Sequence, residues 1–245
     1  MQGRHVTGID TVGDDTTTPL QQVDGGLIVS CQPYPDDPLR GPQLMAAMAE
    51  SVASAGAVGI RANGLQDVQA IREQLDLPLI GLWKDGTDDV FITPTVQHAS
   101  AIACAGADIV AVDGTQRSRP DSHTLSDNVA TVHAEGRALM ADVATVTDGV
   151  LAEQSGADVV STTLSGYTRA SPHQEGPDLE LVAALASRLT LPVIAEGRIH
   201  TPAQASQALD AGAWAVVVGT AITAPGWIAA QFIESMQARW MDQGV

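Results

Sequence analysis

Apolar residues form eight short, continuous runs along the chain, and each run is followed by a segment with helical periodicity. The runs cover residues 26–32, 57–62, 77–84, 108–114, 137–143, 157–163, 191–197 and 213–220. Parallel strands beneath a layer of helices are buried on both faces, so their sequences are continuously apolar. Eight strand–helix units in about 220 residues predict a single-domain (β/α)8 TIM barrel. An open, doubly wound sheet is the alternative, but the chain lacks the glycine-rich dinucleotide motif of such sheets.

A repeated glycine supports this organisation. The sequence small residue–Gly–Ala recurs around Gly56, Gly106, Gly156 and Gly212, at spacings of 50, 50 and 56 residues. Each copy follows a helical segment and precedes an apolar run, which is typical of a glycine that ends a helix in the left-handed conformation. The spacing predicts two strand–helix units per repeat.

Helix starts and the domain boundary follow from local composition. Thr201 and Pro202 predict an N-cap and first helical residue, with Gln204 completing a capping box. Thr93 and Pro94 predict the start of another helix in the same way. Residues 1–24 are rich in Thr, Asp and Gly without periodicity, so we expect a flexible N-terminal segment before a catalytic barrel of residues 25–245.

Charge composition excludes several function classes. The 245 residues carry a net charge of −17, which disfavours binding to nucleic acid and to anionic membrane surfaces. Hydrophobic residues make up 44% of the chain, so a long disordered acidic region is not expected. No secretory signal or bilayer-spanning run is visible, and we therefore expect a cytoplasmic protein.

Polar residues stand at the ends of the predicted strands, where TIM barrels place their active sites. Because burying charge in a core is unfavourable, their recurrence at strand ends indicates a functional site. These residues are Gln32, Arg61, Lys84, Asp113, Asp142, Thr162, Thr163, Glu196, Arg198, Gly219 and Thr220.

Lys84 is the only lysine in a chain with 11 arginines. Arginine stays protonated at any workable pH, whereas a desolvated lysine can lose its proton. A neutral amine serves as a general base or as a Schiff-base nucleophile. We therefore predict that Lys84 is catalytic, with Arg61 on the neighbouring strand lowering its pKa.

Two groups of neighbouring residues complete the predicted site. Glu196 follows an apolar strand, so partial desolvation should raise its pKa and suit it to proton transfer. Asp113 and Asp142 end strands 4 and 5, where they could orient Lys84 or bind substrate hydroxyls. Backbone amides after strands 7 and 8 suggest phosphate binding, with Gly197, Arg198, Gly219 and Thr220 as its residues.

The six histidines show no metal-ligand spacing, so we expect no metal and interpret the histidines as surface or loop residues.

Several motifs together resemble the N-acetylmannosamine-6-phosphate 2-epimerases. They are Ile28–Pro33 (IVSCQP), Ile60–Arg61, Ile80–Gly81 with Lys84, Ser161–Thr168 (STTLSGYT), Ala195–Arg198 (AEGR) followed by Thr201–Pro202, and Val218–Thr223 (VGTAIT). These motifs occur in the family's order from about Gly25 to about Gln237. Only the N-terminal segment lies outside the resemblance.

The resemblance implies a cofactor-independent isomerase of sialic acid catabolism that interconverts N-acetylmannosamine 6-phosphate and N-acetylglucosamine 6-phosphate. By matching positions, Lys84 would handle the C2 proton with help from Glu196. Gln32, Arg61, Asp142 and also Thr163 would bind the sugar or orient the lysine. A one-base or a two-base inversion stays open, as does the oligomeric state, a homodimer included.

Two positions depart from the family pattern. Ala224 stands where family members usually carry an arginine, and Asp85 follows Lys84 where a basic residue is common. Either another arginine such as Arg198 or Arg169 compensates, or backbone amides bind the phosphate, or the substrate is unphosphorylated. A Schiff-base aldolase or lyase, and a non-catalytic barrel that binds sugar phosphates, remain alternative functions.

Overall fold

The computed structural model describes residues 17–34 and 36–242. Its eight strands are β1 (Leu27–Cys31), β2 (Gly59–Asn63), β3 (Leu79–Leu82), β4 (Ile109–Asp113), β5 (Ala138–Asp142), β6 (Val159–Ser161), β7 (Val193–Glu196) and β8 (Ala215–Val218). All neighbouring strands are parallel, and β8 pairs with β1 to close the barrel. Each predicted apolar run contains one strand, so the (β/α)8 barrel is confirmed.

Helices alternate with the strands along the chain. They are α1 (Pro19–Gln22), α2 (Pro42–Ser54), α3 (Leu65–Gln74), α4 (Val96–Cys104), α5 (Leu125–Ala134), α6 (Val146–Gln154), α7 (Leu179–Ala186), α8 (Pro202–Asp210), α9 (Thr220–Thr223) and α10 (Pro225–Asp242), with a short 3-10 helix at Thr162–Leu164. Gly56, Gly106, Gly156 and Gly212 all have φ between 91° and 110°, which confirms the left-handed glycine predicted at these helix ends.

The two predicted helix starts had different outcomes. Thr201 caps α8 and forms the capping box with Gln204, as predicted. The start predicted at Thr93 is wrong, because α4 begins at Val96 with Thr95 as its N-cap. Thr93 is instead fully buried at φ 46°, and its hydroxyl donates to the Ala111 carbonyl at 2.6 Å.

The segment before the barrel is partly folded. Thr18 caps the short helix α1, and the Trp214 indole donates to the Leu20 carbonyl at 2.9 Å. Val23 is fully buried in the barrel core. Residues 17–24 therefore pack on the barrel, where the sequence predicted a flexible segment, and residues 1–16 of that predicted segment lie outside the described residues.

The strand periodicity decides which residues enter the barrel. Ile28, Ile80, Ile109 and Ile194 belong to one apolar cluster formed mainly by strand residues, which fills the interior. The alternate positions, such as Val110, pack against the helices in a second cluster. Successive side chains of a strand point to opposite faces, so the residue two positions beyond each interior residue also points into the barrel, nearer its C-terminal mouth.

Candidate active site

The polar layer at the mouth follows directly from this periodicity. Asp113 lies two positions after interior Ala111, Asp142 two after Met140, and Glu196 two after Ile194. Arg61 occupies the same interior series on β2, paired in register with Ser30 of β1. The barrel therefore changes from an apolar interior to a layer of charged side chains at the C-terminal ends of its strands.

Arg61 lies at the centre of this layer and is 1% exposed. Its Nη2 contacts Asp142 Oδ2 at 2.6 Å, and its Nη1 contacts Glu196 Oε2 at 2.8 Å. Thr163 Oγ1 lies within hydrogen-bonding distance of both carboxylates, 2.9 Å from Asp142 Oδ1 and 3.1 Å from Glu196 Oε2. Three strands and the 3-10 helix after β6 are thus joined by one buried network of ion pairs and hydrogen bonds.

Lys84 follows β3 at the edge of this network. Its backbone N–H donates to Asn63 Oδ1 at 2.8 Å, and it forms an isolated antiparallel bridge with Ile92. The residue is exposed toward the mouth, while surrounding protein removes water from its amine. This desolvation and the Arg61 charge lower the Lys84 pKa, against the opposing influence of Glu196 and Asp142.

Glu196 has the opposite shift. Desolvation raises its pKa, and the negative charge of Asp142 adds to that rise, although Arg61, Thr163 and Lys84 act against it. Both shifts favour the neutral forms, an amine on Lys84 and a carboxylic acid on Glu196. The arrangement therefore offers a proton acceptor and a proton donor at one site.

A cavity of about 230 Å³ opens above this network. Its described lining residues are Ser30, Gln32, Pro33, Tyr34, Asp37, Lys84, Thr163, Tyr167, Glu196, Gly197, Arg198, Ile199, His200, Val217, Gly219, Thr220, Thr223 and Ala224. Eight of the predicted site residues are among them. Arg61 and Asp142 lie buried beneath the cavity, where they contact Glu196 and Thr163 rather than open space.

Asp113 does not fit the predicted role in substrate binding. It is 1% exposed and absent from the cavity lining. Arg117 Nη2 contacts its Oδ2 at 2.5 Å, and the Thr115 hydroxyl donates to its Oδ1 at 2.6 Å. Burial raises its pKa. Asp113 therefore holds the loop after β4, because that loop brings its own arginine and threonine onto the carboxylate.

The predicted phosphate-binding residues lie together on the cavity wall that follows β7 and β8. Gly197 and Arg198 follow β7, while Gly219 and Thr220 lead into α9, and all four line the cavity. In α9 the amides of Ile222 and Thr223 donate to the Gly219 carbonyl at 2.8 and 2.9 Å, so the donors that this short helix can offer the wall are the amides at its very start. A Cβ added at Gly219 would lie 3.2 Å from the Cβ of Ser30, which shows how closely the backbone approaches β1.

Sequence reasoning missed several lining residues. His200 was interpreted as a surface or loop residue, and Tyr34 and Tyr167 were not assigned to the site. They come from loops that turn back over the mouth, and no local pattern predicts that return. The position of His200, two residues after the predicted phosphate residue Arg198, was the one available signal.

The two departures from the family pattern lie in different surroundings. Ala224 is buried and lines the cavity, so the missing arginine does leave this wall with less positive charge. Asp85 lies outside the cavity lining and contacts His98 Nε2 at 3.2 Å. Only the first departure changes the charge of the cavity.

Within the described ranges, no group of three or more His, Cys, Asp or Glu residues is arranged to hold a metal ion. No described helix is both long enough and apolar enough to cross a bilayer.

Comparisons with known proteins agree with the site geometry. The family model described as "Putative N-acetylmannosamine-6-phosphate epimerase" matches residues 45–238. A relative from Cutibacterium acnes, named for the same 2-epimerase activity, is 49% identical over 216 residues, covering 87% of this chain and 94% of the relative. One from Caldanaerobacter subterraneus, named likewise, is 45% identical over 224 residues, covering 90% and 94%.

A solved structure gives the same result. The N-acetylmannosamine-6-phosphate 2-epimerase from Clostridium perfringens superposes with a TM-score of 0.87 at 39% identity, covering 96% of this chain and 99% of that one. A thiamine phosphate pyrophosphorylase from Pyrococcus furiosus, at 18% identity and a TM-score of 0.59, shares the fold alone. By sequence and by structure, this chain belongs to the N-acetylmannosamine-6-phosphate epimerase family.

Proposed function

We propose that this enzyme interconverts N-acetylmannosamine 6-phosphate and N-acetylglucosamine 6-phosphate by removing and returning the C2 proton. The observation that carries this proposal is the pairing of Lys84 with Glu196 across one cavity, with both pKa shifts favouring the neutral forms. The names of the relatives support the substrate class.

The chemistry begins with the open-chain sugar, in which C2 lies next to the C1 aldehyde. The neutral Lys84 amine takes the C2 proton, and the electron pair of the C–H bond moves into an enolate. Protonated Glu196 donates to the sugar oxygen that gains negative charge, which lowers the barrier most where water is excluded. Return of a proton to the opposite face of C2 then gives the epimer.

The buried network beneath the cavity supports both proton transfers. Arg61 Nη1 lies 2.8 Å from Glu196 Oε2, a contact that orients Glu196 while opposing its protonation, and the Arg61 charge lowers the Lys84 pKa. Asp142 holds Arg61 from the other side at 2.6 Å. We therefore assign Arg61 and Asp142 as positioning residues for Lys84 and Glu196, while Gln32 and Thr163 line the cavity and contact the sugar.

The direct test follows C2 by proton NMR while the enzyme is incubated with N-acetylmannosamine 6-phosphate in deuterated water. We expect loss of the C2 proton signal together with appearance of the glucosamine epimer. Epimer formation without deuterium at C2 would contradict a solvent-exchanging base. Borohydride trapping of substrate on Lys84 would contradict the base role and favour Schiff-base chemistry.

We further propose that the enzyme is a homodimer built through α10. Phe232, Ile233 and Met236 lie on one face of α10 and are 68%, 53% and 66% exposed. The outer side of β8 and β1, which the last helix of a (β/α)8 barrel covers, instead carries an apolar groove of about 370 Å³. The groove is lined by residues that include Leu27, Leu209, Val216 and Ile222.

The apolar face of α10 and the groove complement each other. The α10 of a second copy can therefore lie in the groove that the first copy's own α10 leaves uncovered. Such an exchange is symmetric and buries both apolar surfaces. Phe232→Ser should yield monomers in sedimentation experiments, whereas Gln231→Ser, an exposed polar change on the same helix, should not. A wild-type monomer at micromolar concentration would contradict the proposal.

A cytoplasmic location follows from the proposed substrate. A phosphorylated sugar does not cross a lipid bilayer unaided, because the phosphate carries about two negative charges near neutral pH. The enzyme must therefore share the compartment in which the sugar is phosphorylated.

A further inference from the structure

The cavity wall after β7 and β8 contains few groups that can carry positive charge. Among the described lining residues, Lys84, Arg198 and His200 are the ones with basic side chains, opposed by the carboxyl groups of Asp37 and Glu196. Lys84 must be neutral to act as a base. The positive charge that this cavity offers a phosphate dianion therefore comes from Arg198 and His200, beside the backbone amides of the same wall.

Arg198 is largely committed to the protein itself. Its Nε donates to the Gly176 carbonyl at 2.8 Å, and its Nη1 donates to the Ser165 carbonyl at 2.6 Å. The guanidinium also lies over the Tyr167 ring, 5.1 Å from the centroid. Among the described residues, only its Nη2 has no hydrogen-bond partner, so Arg198 can offer a ligand one nitrogen rather than a bidentate edge.

His200 lies beside Arg198 at the boundary between the cavity and the apolar groove, and it lines both. Its backbone N–H donates to Gln204 Oε1 at 2.8 Å, and its ring packs against the Trp227 ring with centroids 4.7 Å apart. The side chain is exposed and lines the cavity. Neither ring nitrogen has a hydrogen-bond partner among the described residues. The buried Ala224 leaves room on the same wall.

We propose that His200 is the specificity-determining residue for the phosphate group, whose dianion it binds as an imidazolium beside Arg198 Nη2. The inference rests on the proposed function, since it assigns the phosphate end of the same substrate. It explains how a wall with a single partly available arginine discriminates between a phosphorylated and an unphosphorylated sugar.

The charges around His200 define how binding depends on pH. Arg198 lies on the same loop, Tyr34 and Asp37 approach from the loop after β1, and Lys84 and Glu196 stand across the cavity. The residues of α9 and α10 on this wall are uncharged. Burial and the Arg198 charge lower the pKa of His200 in the empty site, and a bound dianion raises it. Phosphate binding therefore takes up a proton and weakens as the pH rises.

The first test measures binding without turnover. Inorganic phosphate is titrated into the full-length protein while the His200 ring proton is followed by NMR. We expect a raised His200 pKa on binding, and about tenfold weaker phosphate binding in His200→Gln, because the variant loses a hydrogen bond between two charged groups. His133→Gln, which removes a histidine paired with Asp158, is the control and should bind like the wild type.

The second test measures specificity by kinetics. His200→Gln should raise KM for N-acetylmannosamine 6-phosphate about tenfold and leave kcat within about twofold. The preference for the phosphorylated sugar, measured as the ratio of kcat/KM with and without the phosphate, should therefore fall about tenfold. An unchanged KM and an unshifted His200 resonance in phosphate would overturn the inference while leaving the epimerase intact. A wild-type enzyme that binds phosphate but fails to epimerise the sugar would instead overturn the proposed function.

Discussion

The floor of the cavity, formed by Arg61, Asp142 and Glu196, differs from the wall that follows β7 and β8 in its exposure to water. The floor joins Arg61, Asp142 and Glu196 through ion pairs of 2.6 and 2.8 Å, with Arg61 and Asp142 almost fully buried and Glu196 14% exposed at the cavity. The wall after β7 and β8 consists of glycine backbone, hydroxyl groups and two basic side chains beside open space. The floor shifts pKa values because water is excluded from it, whereas the wall recognises a ligand with groups that stay accessible.

The largest effect is expected at Lys84, where the floor meets the cavity. Lys84→Ala should reduce epimerisation and C2 deuterium exchange by about 10²–10⁴-fold, since it removes the general base. Lys84→Arg should be equally inactive, because a guanidinium stays protonated. Far-UV circular dichroism should show an intact fold. Deuterium exchange at wild-type rate in either variant would contradict the assignment.

Breaking the floor itself should unfold the protein more easily. Arg61→Met leaves the buried Asp142 carboxylate without its partner, so we expect the free energy of unfolding in urea to fall by about 3–5 kcal/mol. The matched control is Arg137→Met, which breaks a partly exposed pair with Asp108 at 3.4 Å and should lose less than about 1 kcal/mol. Equal losses in the two variants would show that the floor carries no special electrostatic role.

The pH dependence of kcat tests the electrostatic coupling between Glu196 and Lys84. Because the Lys84 pKa is lowered, kcat should rise with pH and level off below the ordinary lysine value of 10.5. Glu196→Gln should lower kcat about 100-fold, because the amide cannot replace the proton donor. It should also move the rising limb to lower pH, since the ionised fraction of Glu196 raises the Lys84 pKa. Movement of this limb to higher pH in the variant would refute the coupling.

The smallest effect is expected on the wall. Gly219→Ala adds a Cβ that meets Ser30 at 3.2 Å and displaces backbone amides by a few tenths of an ångström. KM for the phosphorylated sugar should rise less than about tenfold, as expected when hydrogen bonds worth about 0.5–1.5 kcal/mol each are weakened. Gly226→Ala, with nothing within 4 Å of the added atom, should leave KM unchanged.

Much of the fold could be predicted because its determinants are local. Each strand was predicted from an apolar run, and the capping box at Thr201 was predicted from three residues. The prediction at Thr93 was wrong because a threonine before a proline is also typical of an N-cap. In the structure its hydroxyl accepts from the Trp83 N–H at 3.1 Å and donates to the Ala111 carbonyl, so it links the segment after β3 to β4. Only the packed barrel brings those partners together.

The candidate site shows the same division. Lys84 and Glu196 could be selected as strand-end residues, and both line the cavity. Asp113 satisfied the same criterion, yet Arg117 and Thr115 from the following loop bind its carboxylate. His200 failed the criterion, yet it lines the cavity because its loop folds over the wall. Strand position is visible in sequence, whereas the partner that a loop supplies is not.

The sequence by itself determined the barrel and the end at which its chemistry lies, because strand burial and two-residue alternation are properties of neighbouring positions. The tertiary structure alone decided which polar side chains meet. Arg61 and Asp142 are separated by 81 positions, and their contact exists because closing the barrel brings β2 and β5 to the same mouth. Burial at that mouth and the Arg61 charge then lower the pKa of the single lysine.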